Sequence, residues 1–222
     1  MLDLPRFKLL PSSPDGARSL ENDQGQELSD QKSPQWILAS ASPRRQELLK
    51  LLIPKFDVVP SDVDEQVIPG ESPSDLVQRL AREKATVVRK LHPHAAILSA
   101  DTIVLCDQEV LGKPASPEEA CRMLGKLSGQ THKVLTGVCL LHREICRIDF
   151  SSTNVRFSVL SEWEINRYVK SGEPLDKAGA YAIQGGAARF IEAIEGCYFN
   201  VVGLPVSLIY RMLRELRYEL HG

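Results

Sequence analysis

Three times along this chain a Ser-Pro pair stands at the junction between an apolar run and a stretch of helical periodicity: Ser42-Pro43, Ser72-Pro73 and Ser116-Pro117. Serine caps free backbone N–H groups there, and proline suits the first helical turn, whose N–H has no partner inside the helix. Each pair therefore predicts a helix start. The runs between them are short and apolar, at residues 36–39, 56–59, 95–100, 103–106 and 109–111, and read as strands. Strands interleaved with capped helices predict one α/β or α+β domain built on a mixed sheet.

The same reading extends to the end. Leu48, Leu49, Leu51 and Leu52 supply the buried face of the first helix, and the second spans 73–91. A turn at Asp107-Gln108 joins 103–106 to 109–111 as a hairpin. After a helix over 117–127 come strands at 133–141 and 145–159, a helix over 161–170 and a Gly/Pro-rich loop over 171–180. Strand-like runs follow at 190–195 and 198–202, and a last helix starts at Pro205.

Composition narrows the function. Residues 1–35 are rich in Ser, Pro, Asp, Gln and Gly and read as a disordered extension, leaving 36–222 as a single domain. The extension carries the whole net charge of −2, so the folded body is formally neutral. A nucleic-acid polymer needs a basic excess, which argues against that partner, and no apolar run approaches the 18 or so residues of a membrane span. Five cysteines without metal-ligand spacing, and no signal peptide, point to reduced thiols in the cytoplasm. The five histidines read as loop or surface residues.

Against this plain background some charges are out of place. Arg44 and Arg45 fall in the first turn of a helix, where the macrodipole disfavours each cation by roughly 0.3–1 kcal/mol. With Ser40, Ser42 and the free N–H groups they form a phosphate cradle, or else both are solvated. Lys84 falls in the middle of the helical stripe of Leu76, Leu80, Val87 and Leu91, so it points inward and either snorkels or meets an anion. Because it removes an inward charge, Lys84→Met is expected to be neutral or stabilising for the fold. Asp101 follows the apolar run 95–100 and reads as a metal ligand, a general base or a turn aspartate. Asp62, Asp64 and Glu65 form an acidic cluster, a magnesium ligand or a solvated loop. Lys113, Asp176-Lys177 and Gln184 stand in turns beside glycine or proline, where they can reach a cleft.

Taken together, Ser40-Ala41-Ser42-Pro43-Arg44-Arg45, Asp64-Glu65, Arg82-Glu83-Lys84, Ala100-Asp101-Thr102-Ile103-Val104 and Gly112-Lys113-Pro114 resemble the Maf family of nucleotide pyrophosphatases. So do Glu173-Pro174-Leu175-Asp176-Lys177-Ala178-Gly179, Ile183-Gln184-Gly185 and Asn200-Val201-Val202-Gly203-Leu204-Pro205, in order from 36 to about 220. The resemblance implies a Maf/inosine-triphosphate-pyrophosphatase-like fold, a mixed bent sheet with flanking helices and a deep central cleft. It implies hydrolysis of a nucleoside triphosphate to monophosphate and pyrophosphate, with a divalent metal cation, Mg2+ or Mn2+, and a homodimer. Asp101 is then the proton acceptor and, with Glu65, the metal ligand; Arg45, Lys84 and Lys113 hold the triphosphate with Ser40 beside them. Arg44, Thr102 and Gln184 match the branch that acts on dTTP and UTP. A glutamine amide donates and accepts at once, which suits the imide edge of a pyrimidine. The competing reading is a nucleotide-binding regulator of cell division without significant catalysis.

Overall fold

The computed structural model describes residues 34–216, so residues 1–33 of the expected extension and 217–222 lie outside the described residues. Gln35 leads straight into the sheet, its carbonyl accepting the Ala96 N–H at 2.8 Å. The strands are β1 (Trp36–Leu38), β2 (Asp57–Val58), β3 (Ala96–Cys106), β4 (Glu109–Leu111), β5 (Thr131–His142), β6 (Ile145–Phe157) and β7 (Ile191–Glu195). The helices are α1 (Pro43–Lys50), α2 (Pro73–Leu91), α3 (Pro117–Leu127), α4 (Glu162–Val169), α5 (Tyr198–Val202) and α6 (Val206–Glu215). No helix among the described residues is long and apolar enough to cross a membrane.

All three Ser-Pro pairs cap helices. Ser42, Ser72 and Ser116 each accept the backbone N–H three residues on, from Arg45, Asp75 and Glu119. Ser161 starts α4 with a reciprocal pair: its side chain accepts the Glu164 N–H, and its own N–H donates to the Glu164 carboxylate. The hairpin turn at Asp107-Gln108 forms with φ of 48° and 66°, the left-handed pair that matches strand twist.

The sheet order is β2-β1-β3-β5-β6-β7, with β4 paired to β3. β1 runs parallel to β2 and β3, and the remaining pairs are antiparallel. Its centre is β3, which is continuous where two strands were expected at 95–100 and 103–106. Asp101 therefore sits mid-strand, not at a strand end. One edge of β3 is covered by β5 from Ile97 to Leu105. The other pairs with β1 at Ala96 to Leu98 and with β4 at Val104 to Cys106, so residues 99–103 face a gap between those two strands. A crevice where a neighbouring strand stops is where ligands enter such sheets.

Both faces are covered. Leu98, Ala100 and Val104 pack with Leu49 of α1, Leu124 of α3 and Leu213 of α6. On the opposite face α2 lays Ala81, Ala85 and Val88 over Ile97, and Leu76, Val77 and Leu80 over Ile103. The helix comes so close that a Cβ on Gly137 of β5 would lie 2.3 Å from the Val77 carbonyl oxygen. Val88 takes the inner position and Leu91 is exposed, so the buried stripe is rotated from the expected one while still including Lys84. Leu51 is also exposed, because α1 ends at Lys50.

Residues 198–202 form a helix, not the expected strand. The β-prone Tyr198, Phe199 and Val201 are overridden by a local turn: the N–H groups of Asn200 and Val201 bond to the Cys197 carbonyl, and Gly203 closes the helix at φ 117°. The loop over 171–180 contains two short 3-10 turns, Glu173–Asp176 and Ala178–Ala180. His132 is buried on β5 at 1% exposure, against the expectation of loop or surface histidines.

Candidate active site

The gap beside β3 opens into a cleft of about 520 Å³, and it is lined by Ser40, Arg44, Arg45, Glu65, Lys84, Asp101, Thr102, Lys113 and Gln184. All nine candidate residues thus meet around one space, although they come from six separate stretches of chain. Five cations, Arg44, Arg45, Lys84, Lys113 and Lys177, face three carboxylates, Glu65, Asp101 and Asp176. A formally neutral body has concentrated its positive excess here, where it suits a polyanion of small size.

Strand alternation sends Asp101 to the α2 face of β3 and Thr102 to the opposite face. On the first face the inward Lys84 meets its anion. Its Nζ donates to Asp101 Oδ1 at 2.5 Å and to Glu65 Oε1 at 2.7 Å. Lys84 and Asp101 are buried, at 8% and 6% exposure, while the Glu65 side chain is 47% exposed on the loop before α2. Burial acts to raise the Glu65 pKa, but the hydrogen bond and charge of Lys84, with Lys113 and Arg45 behind it, hold the carboxyl below its ordinary value. The acidic cluster divides: Glu65 faces the cleft, whereas Asp62 and Asp64 line a separate groove with Arg79 and Arg82.

On the second face Arg45 is held on three sides. Its Nε donates to the Gly203 carbonyl at 2.9 Å, Nη1 to Ser40 Oγ at 3.2 Å and Nη2 to Thr102 Oγ1 at 3.0 Å. Thr136 donates to the Asn200 carbonyl at 3.0 Å, which leaves Thr102 to donate to Thr136, also at 3.0 Å. The chain of bonds from Arg45 to Asn200 has one direction. Burial draws the Arg45 guanidinium below its ordinary pKa, Asp101 opposing and Arg44 adding to the shift. Of this fully buried pair, Asn200 was quoted within the family motif without a role, and Thr136 was missed in the sequence. The signal for Thr136 was a polar residue inside the apolar run at 134–138, which demands a buried partner.

Lys113 is exposed at the β4 to α3 turn, and Arg44 faces Asp176, whose carboxyl sits below its ordinary pKa. Burial there acts upward and is outweighed by Lys177, with Arg44 adding to the lowering. Gln184 is exposed and lines the cleft together with Tyr181 and Ile183.

No group of three or more His, Cys, Asp or Glu able to hold an ion occurs among the described residues. Asp101 and Glu65 nevertheless converge on one positive charge, the Lys84 ammonium. Two hard oxygen donors beside a phosphate-sized cleft fit a magnesium-type cation, which is bound through one or two carboxylates plus substrate phosphates.

Comparison with known proteins shows the family. The chain is 51% identical over 178 residues to a dTTP/UTP pyrophosphatase of Syntrophomonas wolfei, covering 79% of this chain and 94% of the relative. It is 51% identical over 186 residues to a dTTP/UTP pyrophosphatase of Symbiobacterium thermophilum, covering 84% and 96%. Among solved structures the Staphylococcus aureus Ham1 protein aligns with a TM-score of 0.50 at 13% identity, over 82% of this chain and 100% of that one, a likeness of fold alone. The family model described as Maf-like protein matches residues 35–216. With a match across the whole described body, the chain belongs to the Maf family.

Proposed function

We propose that this chain hydrolyses dTTP and UTP to the nucleoside monophosphate and pyrophosphate. The observation that carries the reading is the placement of Asp101, Glu65 and Lys84 at the floor of a cleft whose walls hold Arg44, Arg45, Lys113 and Gln184. Relatives at about half identity, named for this reaction, support it.

Arg45, Lys84 and Lys113 bind the triphosphate, with Ser40 orienting Arg45. Asp101 accepts the proton of a water that attacks the α-phosphorus; the new P–O bond forms as the bond to the bridging oxygen of the β-phosphate breaks, and pyrophosphate leaves into the cationic wall. Lys84 fixes the direction of both carboxylates by donating to each. Asp101 and Glu65 would hold a divalent cation, Mg2+ or Mn2+, which supplies Lewis-acid neutralisation of phosphate charge when bound. Gln184 pairs with the base, and Arg44 and Thr102 complete the branch-specific set. Every one of these residues comes from one chain, so the proposed homodimer is not needed to build the site. We place the protein in the cytoplasm, consistent with five cysteines none of which is disulfide-bonded.

The test is pyrophosphate release from dTTP, UTP, CTP, dATP, GTP and 7-methyl-GTP, with magnesium, manganese or EDTA. Release confined mainly to dTTP and UTP, abolished by EDTA, is expected, and Asp101→Asn should lower kcat at least about 100-fold while nucleotide still binds. Near-full turnover in Asp101→Asn removes Asp101 from its role. Binding without release from any substrate favours the regulator.

A further inference from the structure

The loop that carries Gln184 is fastened from behind by two side chains that the mechanism does not use. Tyr168, near the end of α4, accepts the Ala182 N–H at 3.1 Å and donates its hydroxyl to Glu173 Oε1 at 2.8 Å. Glu173 in turn accepts the Gly186 N–H with both carboxylate oxygens, each at 3.1 Å. Ala182 and Gly186 stand two residues to either side of Gln184, so the backbone is pinned on both flanks. The two glycines after Gln184 follow from this closeness. A Cβ at Gly185 would lie 2.1 Å from Glu173 Oε1, and one at Gly186 would lie 3.3 Å from the Tyr168 ring.

The clamp is itself anchored. Lys177 Nζ donates to the Glu173 carbonyl at 2.6 Å, and the Tyr168 ring stands edge-on to Phe190 with centroids 5.6 Å apart. Burial, and then the Glu173 hydrogen bond, push the Tyr168 hydroxyl above its ordinary pKa, which keeps it protonated as a donor. Neither Tyr168 nor Glu173 lines the cleft. Gln184, by contrast, is exposed, and among the described residues no hydrogen bond restrains its side chain. An untethered amide recognises a base well only when its backbone is fixed, since each loose torsion must otherwise be ordered on binding.

We propose that Tyr168 and Glu173 are positioning residues for base recognition: they fix the backbone on both sides of Gln184 so that its amide meets the base of the bound nucleotide. The inference rests on the reading of Gln184 given above. It is tested in the full chain with Tyr168→Phe, Glu173→Gln, Gln184→Ala and the double variant Tyr168→Phe with Gln184→Ala. The readout is base-dependent affinity, the ratio of the inhibition constant of inorganic tripolyphosphate, which has no base, to the KM for dTTP.

Gln184→Ala should lower this ratio about tenfold, the size of one or two lost hydrogen bonds. Tyr168→Phe and Glu173→Gln should each lower it about fivefold through KM alone, with tripolyphosphate inhibition and kcat within about twofold of the parent. Adding Tyr168→Phe to Gln184→Ala should lower the ratio no further, because the clamp acts through that one side chain. If Gln184→Ala moves the ratio and both clamp variants leave it unchanged, the positioning role is overturned while the base reading stands. If Gln184→Ala itself leaves the ratio unchanged, the base reading falls and this inference with it. Equal losses for dTTP and tripolyphosphate also overturn it, by showing a general structural role. Tyr168→Phe keeps the ring and its packing, so the test survives even if Glu173→Gln fails to fold.

Discussion

Lys84 stands between two carboxylates, and that changes what its removal should do. The expectation that Lys84→Met is neutral or stabilising treated the inward charge as unpaired, and the structure overturns it. The Lys84 ammonium neutralises Asp101, which is 6% exposed, and reaches Glu65 from the same point. Breaking such a pair leaves a carboxylate without its partner in a poorly solvated place. Lys84→Met should therefore destabilise the protein by about 3 kcal/mol, the low end for a broken buried pair, because the cleft admits water. Urea denaturation at neutral pH measures this, and magnesium should recover part of the loss by neutralising the same two oxygens. No loss of stability would mean that the pair contributes nothing to the fold. That Lys84 points inward was legible from helical periodicity alone. Which anion it meets was not, because Glu65 lies 19 positions away along a loop with no periodicity to read.

At the scale of elements, what was legible followed the range of the forces involved. The Ser-Pro helix starts and the Asp107-Gln108 turn could be read because their hydrogen bonds close within three or four residues. The gap at 99–103 of β3 could not, since it depends on where β1 stops and β4 begins, two registers set by distant pairing. The helix over 198–202 escaped for the same reason: Asn200 within it donates to the Val134 carbonyl and to Thr153, contacts that no local propensity records. The placement of α2 against β5 belongs to this class and is open to test. In Gly137→Ala the new methyl meets the Val77 carbonyl, which is backbone and cannot swing aside. The helix must move, at a cost of about 1–3 kcal/mol by the usual scale of overpacking. Because α2 also carries Lys84, kcat should fall with stability, a coupling read by comparing urea midpoint and turnover in the same variant. A stable but inactive variant would mean that the helix shifts without strain; a stable and active one would mean that the contact is loose.

Over the whole molecule, the response to acid should divide into two windows that belong to different parts of the structure. His132 is buried on β5, its Nε2 2.9 Å from the Tyr181 hydroxyl and its ring edge-on to Phe157 at 5.0 Å. Burial lowers its pKa from 6.5 to about 4, and burial likewise raises that of Tyr181, so both groups are neutral in the folded protein. As pH falls below 6.5 the unfolded chain takes up a proton at His132 that the folded chain refuses until about 4. The stability that His132 provides is therefore complete above 6.5 and declines toward pH 4, by up to about 1.4 kcal/mol per pH unit and about 3 kcal/mol in all. Glu65 acts in the same direction but lower. Its folded pKa lies below 4.5, so its contribution is present above 4.5 and is lost as pH falls through the depressed value. Urea denaturation between pH 7 and 4 should show the first window, and His132→Gln, which cannot titrate there, should flatten it by close to one proton. Because Tyr181 also borders the cleft, the same protonation that loosens the core withdraws support from the wall beside Gln184. Turnover measured through the window should accordingly fall with the folded fraction in the parent and hold to lower pH in His132→Gln.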